Sequence, residues 1–284
     1  MRIGANSLVL AGGGIAGIAW EVGVLLGIEE AEPEASWRLL AADSTFIGTS
    51  AGSVVATQVA GGVALRTLFE QQLEEHTAEV GAVFNVLEFQ ETLACLLDGV
   101  TSAEEGRRRI GRFALDSTTI APGDRRAIIS ARLTVQSWPD RRVLVTAVNA
   151  LTGDLMVFDR HYGVDLIDAV AASCAVPGIW PTVEIDGNHF TDGGVRTIAN
   201  SDLAAGSDAV LILAPLAEAN LPFALPADEL AVLEPARVHV VCADEASLLA
   251  FGSNPLDPAT ASVSARAGRE QGRRIAAGIA AFLG

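Results

Sequence analysis

Short β-prone apolar runs recur at residues 7–11, 45–47, 142–148, 155–158, 209–213 and 238–242, each bounded by glycine, proline or polar turn residues. Such runs read as strands, and those without polar alternation as strands buried on both faces. Between them the apolar positions fall into helical spacing. Trp20, Val24, Leu25 and Ile28 mark a helix that follows the first strand and ends near Glu30. Another follows the 45–47 run, and a third spans 164–174 and stops at Pro177-Gly178. An alanine-rich helix runs from Pro258 to Phe282, with Arg266, Arg269, Arg273 and Arg274 on exposed faces. Strand then helix, twice in series, predicts parallel neighbours joined by crossovers. Thr152-Gly153-Asp154 and Asp186-Gly187-Asn188 predict hairpins, the second joining 183–185 to 189–191. From 64 to about 133 the pattern is helical and more polar. Leu65, Leu68, Phe69 and Leu73 share one face there, Leu93, Leu96 and Leu97 repeat the spacing, and Pro122 starts a further helix. The predicted fold class is α/β: three layers, α/β/α, with a mainly parallel central sheet. It forms a single domain over residues 1–284, with a helical cap or insertion at about 64–133.

Two turns carry candidate chemistry. Gly12-Gly13-Gly14 follows the first strand at once, so its backbone N–H groups and the next helix N-terminus form a cradle for negative charge. Gly48-Thr49-Ser50-Ala51-Gly52 reads G-x-S-x-G between the second strand and its helix. Glycines two positions either side of a serine remove collisions at a sharp turn and hold the hydroxyl out from the sheet edge. In parallel β–α units both loops emerge at the carboxyl edge, where open α/β sheets bind ligands. Each motif has a competing reading. Gly12, Gly14 and Gly17 also satisfy the dinucleotide fingerprint GxGxxG, and Ser50 also reads as a helix N-cap. Asp192-Gly193-Gly194 projects a carboxylate at the end of the second hairpin, or is a plain turn.

A serine hydroxyl needs a base within hydrogen-bond reach. The histidines are His76, His161, His189 and His239. Ser50, Asp192 and His239 follow the chain order of a Ser-Asp-His triad, but His239 lies mid-strand, where a loop position is required. The alternative is a dyad in which Asp192 alone serves Ser50.

Composition narrows the choice. With 284 residues, 50% of them apolar, a large core is affordable. A net charge of −16 excludes general attraction to nucleic acid or an anionic membrane. All 19 basic residues are Arg, which excludes P-loop and Schiff-base lysine chemistry. Arg107-Arg108-Arg109, extended by Arg112, reads as a solvated helix face. Cys95, Cys174 and Cys242 suit buried thiols in a reducing compartment, with no disulfide framework and no metal site. Arg2 precedes an apolar run from 8 to 20, but the glycines inside it argue against a signal peptide. No stretch reaches the ~18 uninterrupted apolar residues of a membrane span. A soluble, cytoplasmic protein is expected.

Taken together, the motifs resemble those of the patatin-like phospholipases, lipid acyl hydrolases that use a Ser–Asp pair. Gly12-Gly13-Gly14-Ile15-Ala16-Gly17 is similar to the family's oxyanion loop, Gly48-Thr49-Ser50-Ala51-Gly52 to its nucleophile elbow, and Asp192-Gly193-Gly194 to its acid motif. Ser173-Cys174-Ala175-Val176-Pro177, Trp180-Pro181 and Ile185-Asp186-Gly187 resemble the helix and hairpin that lead to the acid. The likeness runs from residue 8 to about 213. It departs at Ala16, where the family often carries Arg or Lys, so backbone N–H groups alone would hold the oxyanion.

The resemblance implies a patatin-like fold and hydrolysis of a carboxylic ester through an acyl-enzyme. Ser50 is then the nucleophile and Asp192 the base, with Gly12, Gly13, Gly14 and Ala51 as the oxyanion hole. Gly17, Gly48, Gly52, Gly193 and Gly194 support the motifs. The implied substrate is a lipid or small acyl ester, with its acyl chain in an apolar trench in the 64–133 region and transient contact with a membrane surface. No cofactor, metal or nucleic acid is called for. A nucleotide-dependent oxidoreductase and a non-catalytic acyl binder are the competing readings.

Overall fold

The computed structural model describes residues 6–74, 81–82, 85–216 and 225–284; His76 and the rest of the expected cap at 75–80 and 83–84 lie outside them. Within these residues the strands are β1 (Asn6–Leu10), β2 (Thr45–Thr49), β3 (Arg142–Asn149), β4 (Leu155–Phe158), β5 (Val183–Ile185), β6 (Asn188–Asp192), β7 (Ala209–Ala214) and β8 (Arg237–Cys242). They form one sheet in the order β5-β6-β3-β2-β1-β7-β8, with β4 also on β3. Neighbours from β3 through β8 along that order are parallel, while β4 and β6 run antiparallel to β3 and β5 antiparallel to β6. Both predicted hairpins form. The sheet is mixed, with a parallel centre.

Alternation along the strands divides the core into two. Leu8, Leu10, Phe46, Val145 and Leu213 pack with α1 (Gly14–Ala31), α3 (Ala51–Ala60), α8 (Leu166–Ser173) and α11 (Ala261–Leu283). Val9, Ile47, Leu144 and Ile212 face the other way, onto Ile198, Ala204 and Leu233. That second layer is built from a short 3-10 turn (Ser201–Ala204) and α9 (Ala227–Ala231). α2 (Pro33–Leu39) and α10 (Glu245–Phe251) complete the elements that the apolar spacing did not reveal. Each is too short to display a full helical stripe.

Helix α1 is buried along nearly its whole length, sandwiched between the sheet and α11. Glycines make that approach feasible. A Cβ on Gly27 would lie 2.2 Å from the Arg269 carbonyl oxygen, and one on Gly272 2.2 Å from that of Val24. At the far end Glu30 pairs with Arg66 and accepts from Arg269 at 2.8 Å and Arg273 at 2.7 Å; the Arg269 guanidinium, with Arg273, holds its carboxyl down at about 2. Arg269 is therefore half-buried against Glu30 and Phe69 and not on a free face, a correction to the expectation from helical spacing. Cys174 is buried as expected, but Cys95 is exposed, because it falls on the outer side of α5 (Val86–Leu97). The cap region holds α4 (Leu65–Leu73), α5, α6 (Ala103–Asp116) and α7 (Pro122–Arg132). No helix among the described residues is long and apolar enough to cross a membrane.

Candidate active site

Strand pairing brings the serine turn and the aspartate turn together. β2 pairs with β3 only as far as Thr146. β4 pairs with β3 from Val145 to Val148, and so holds the edge opposite β2. β6 pairs with Ala147, Val148 and Asn149, two of which β4 also occupies, so β6 must lie on the β2 side of β3. β6 therefore runs head-on toward the end of β2. Its last residue, Asp192, arrives beside the turn that starts at Ser50, although the two strands have opposite directions.

The elbow is strained and fixed. Ser50 has φ 52° and ψ −118°, a conformation costing about 1–3 kcal/mol for a non-glycine residue. Its N–H donates to Ser173 Oγ at 2.9 Å, and its carbonyl accepts from the Ser53 N–H at 2.9 Å and Oγ at 2.7 Å. Ser50 occupies the N-cap position of α3 but its side chain caps nothing. The N-cap reading thus fails, and the hydroxyl remains available. The neighbouring glycines are needed for close approach: a Cβ on Gly52 would lie 1.9 Å from the Leu10 carbonyl oxygen, and one on Gly48 2.5 Å from Ser53 Cα. The Gly52 N–H then reaches the Ala11 carbonyl at 3.0 Å, tying the elbow to the glycine loop.

That loop offers fewer donors than its sequence suggests. The Gly12 N–H donates to the Ile198 carbonyl at 2.9 Å, so Gly12 is removed from the expected oxyanion donors. No described residue accepts from the N–H of Gly13, Gly14 or Ala51. The GxGxxG reading also weakens here. A Cβ on Gly13 would meet Pro215 at 2.5 Å, one on Gly14 would meet the Pro255 carbonyl at 2.7 Å, and the Ala16 N–H is already engaged by that carbonyl at 3.0 Å. With that N–H engaged, the start of α1 offers a pyrophosphate fewer donors than the fingerprint expects.

Asp192 is 5% exposed, and its Oδ1 accepts from the Gly194 N–H at 2.7 Å. Burial pushes its pKa up to about 6, against the smaller opposing effects of the Ser50 hydroxyl, the Gly194 N–H and the Arg125 charge. Oδ2 is buried without a hydrogen bond of normal geometry. The Ser50 hydroxyl is among the groups that favour the carboxylate, and it lines the same cavity as Asp192 without a hydrogen bond to it in this structure. Burial pushes the Glu21 carboxyl, on α1, well above the usual carboxylate range, against the smaller opposing effect of a hydrogen bond with the Ala11 backbone.

Asn200 was not visible as a site residue in the sequence. It is fully buried, left-handed at φ 50°, and donates to the Thr49 hydroxyl at 3.1 Å, the Gly193 carbonyl at 3.2 Å and the Thr197 carbonyl at 2.9 Å. One amide therefore joins the end of β2 to the turn after Asp192. In sequence it is one polar residue in the run Ala199-Asn200-Ser201-Asp202, which reads as a plain turn. Asn200→Ala strands several buried partners, so a loss of about 1–3 kcal/mol in urea denaturation is expected, together with a fall in any Ser50-dependent activity.

An apolar cavity of about 240 Å³ opens over Ser50 and Asp192. Phe89 and Leu93 of α5, Ile110 of α6, and Phe251 and Leu256 from the C-terminal third form its walls. The expected apolar trench is thus supplied by part of the 64–133 region, and by a later segment that carried no motif. Among the described residues the histidines lie elsewhere: His239 packs against Phe282 with centroids 5.4 Å apart, His189 contacts the Thr182 hydroxyl at 3.4 Å, and His161 is exposed. None of these three lines either cavity that Ser50 lines. Among the described residues no cluster of potential metal ligands occurs.

Comparison with known proteins identifies the family. The family model described as patatin-like phospholipase matches residues 8–205. Comparison with curated proteins returned no match. Among solved structures, VipD from Legionella pneumophila is similar at 13% identity and a TM-score of 0.45, over 96% of this chain and 67% of that one. The type III effector protein ExoU is similar at 16% identity and a TM-score of 0.43, over 98% of this chain and 53% of that one. The chain thus spans about two thirds of the first and half of the second. Because the family model covers well over half of its length, the chain belongs to the patatin-like phospholipase family, a family of lipid acyl hydrolases.

Proposed function

We propose that the chain hydrolyses carboxylic esters of lipids through an acyl-enzyme on Ser50, with Asp192 as base. One observation carries this reading: an uncapped serine on a strained elbow stands beside a buried aspartate, at the floor of an apolar cavity edged by N–H groups without acceptors among the described residues. Asp192 accepts the hydroxyl proton as Ser50 Oγ attacks the ester carbonyl. The N–H groups of Gly13, Gly14 and Ala51 hold the resulting oxyanion, each worth about 3 kcal/mol in the transition state. Collapse expels the alcohol, which takes the proton from Asp192. Water then enters, gives its proton to Asp192 and releases the fatty acid, and Ser50 regains its hydrogen. A carboxylate with a pKa near 6 is a stronger base than an exposed aspartate, which suits it to this task. The apolar cavity takes the acyl chain. Transient contact with a lipid surface would deliver the substrate.

A fluorophosphonate probe tests the proposal directly. Labelling of the wild type and none of Ser50→Ala is expected, with turnover of lipid and p-nitrophenyl esters lost in parallel. A protein that binds fatty acid but neither labels nor turns over any ester is the non-catalytic acyl binder instead. Titratable binding of NAD or FAD would revive the oxidoreductase reading.

A further inference from the structure

Ser50 lines two cavities of very different size. The one toward α7 holds about 20 Å³, room for a water but not for a chain, whereas the apolar one shared with Asp192 holds about 240 Å³. An acyl group on Ser50 therefore has only the larger one to extend into. Helix α5 runs along that cavity and lines it with Val86, Phe89 and Leu93, whose spacing puts them on one helical face. Burial deepens along this stripe: Val86 and Phe89 are half-buried, and Leu93 is 1% exposed. At its inner end Leu93 packs with Ile110 of α6, Val148 and Val195 in one buried apolar cluster, so the cavity is closed there. On the α10 side Leu248 and Gly252 are exposed, and the cavity opens to water beside them. The closed end is set by backbone packing. Gly111, next to Ile110, lies so near the turn after β3 that a Cβ on it would fall 2.1 Å from the Ala150 carbonyl oxygen.

We propose that this cavity gauges the length of the acyl chain, with Leu93 and Ile110 as the residues that stop it, and that the substrates are esters of medium-chain acids. The inference rests on the hydrolytic reading above and narrows its substrate. Two magnitudes agree. An apolar cavity of about 150 Å³ is enough for benzene, so one of about 240 Å³ takes roughly eight to ten carbons. The stripe from Val86 to Leu93 spans about 10 Å of helix, the length of an extended chain of about eight carbons. Apart from Ser50 and Asp192, the described residues lining the cavity are apolar or glycine, so each methylene that enters gains full burial. That gain is about fourfold in kcat/KM per methylene. A methylene beyond Leu93 and Ile110 gains nothing, because it must fold back or displace close-packed side chains.

The test is kcat/KM for p-nitrophenyl butyrate, hexanoate, octanoate, decanoate, laurate and palmitate, each below its micellar range, on wild type, Leu93→Ala, Ile110→Ala and Phe251→Ala. In wild type the value should climb about fourfold per methylene as far as octanoate or decanoate, then level or fall. Leu93→Ala and Ile110→Ala should each move that break to longer chains by about two carbons, raising the laurate-to-octanoate ratio by about tenfold. Leu93→Phe should move it to shorter chains, and Ile110→Val gives a smaller shift in the alanine direction if the alanine variants do not fold. Phe251→Ala, on the open side, should leave the break in place. A break moved by neither Leu93→Ala nor Ile110→Ala overturns the proposal, and one moved by Phe251→Ala instead lays the chain toward α10. Values still climbing at palmitate in wild type overturn it as well. If wild type turns over no ester of any length and Ser50 takes up no fluorophosphonate, the hydrolytic reading itself fails and the inference falls with it.

Discussion

Asp192→Asn is expected to lower ester turnover by about 10⁴-fold or more, while making the protein more stable at neutral pH. The first effect follows from removing the base beside Ser50; His239→Ala should leave turnover unchanged, since His239 packs on Phe282 away from the site. The second follows from linkage. The folded-state pKa of Asp192 is raised to about 6 from an ordinary 3.8, with burial as the main cause. Below about 3.8 the group is protonated in both states and exerts no effect. As pH rises toward 6, the unfolded chain releases its proton first, so the folded state is increasingly penalised. Above 6 the penalty is complete, at about 3 kcal/mol for a shift of this size. The neutral amide avoids it. Urea denaturation at pH 4 and pH 8 checks the sign: the variant should match wild type at the lower pH and exceed it at the higher. Equal stability at both would mean that the carboxylate is not desolvated. The same pKa sets the activity profile of the wild type, which should rise through a midpoint near pH 6 as the base ionises.

Most of the parallel core was legible because its strands are short runs rich in Val, Ile and Leu, bounded by glycine, proline or polar turn residues, and too short for buried helices. β1, β2, β3, β7 and β8 fall where apolar runs predict them, and both hairpins form at their turn residues. The candidate site was legible for a related reason. Gly48 and Gly52 stand where backbone meets backbone, and such contacts leave a spacing that survives in sequence. What could not be read depends on partners distant along the chain. Gly12 differs from Gly13 and Gly14 only because the Ile198 carbonyl captures its N–H. Asn200, Ile110 and Leu256 acquire roles from what they touch, and nothing in their local sequence sets them apart. Arg269 was misplaced because helical spacing separates faces but does not show that Glu30 waits on another helix. The orientation of β6 is the deepest case. That an antiparallel strand delivers Asp192 to the end of β2 follows from which edge of β3 lies open, a property of the assembled sheet alone.

Gly52→Ala should produce the largest structural effect of any single methyl group in the site. The added Cβ would lie 1.9 Å from the Leu10 carbonyl oxygen and 2.2 Å from its carbon. Both are backbone atoms of a central strand that is hydrogen-bonded to β2 and β7, so neither moves without disturbing the sheet. Relief requires α3 to withdraw from β1, and the Gly52 N–H bond to Ala11 then lengthens beyond its 3.0 Å. Ser50 and the glycine loop part together, because that bond joins them. Overpacking of this kind costs about 3 kcal/mol or more, and a fall in turnover well beyond the loss of folded protein is expected. Gly278→Ala is the control. Nothing lies within 4 Å of its added methyl group on α11, so the better helix former should raise stability by about 0.5–1 kcal/mol. Denaturant midpoints of the two variants, with fluorophosphonate labelling of the folded fraction, separate strain at the elbow from general damage. A Gly52→Ala protein with wild-type midpoint and labelling would show that α3 does not press on β1 as closely as described, and the elbow geometry would have to be redrawn.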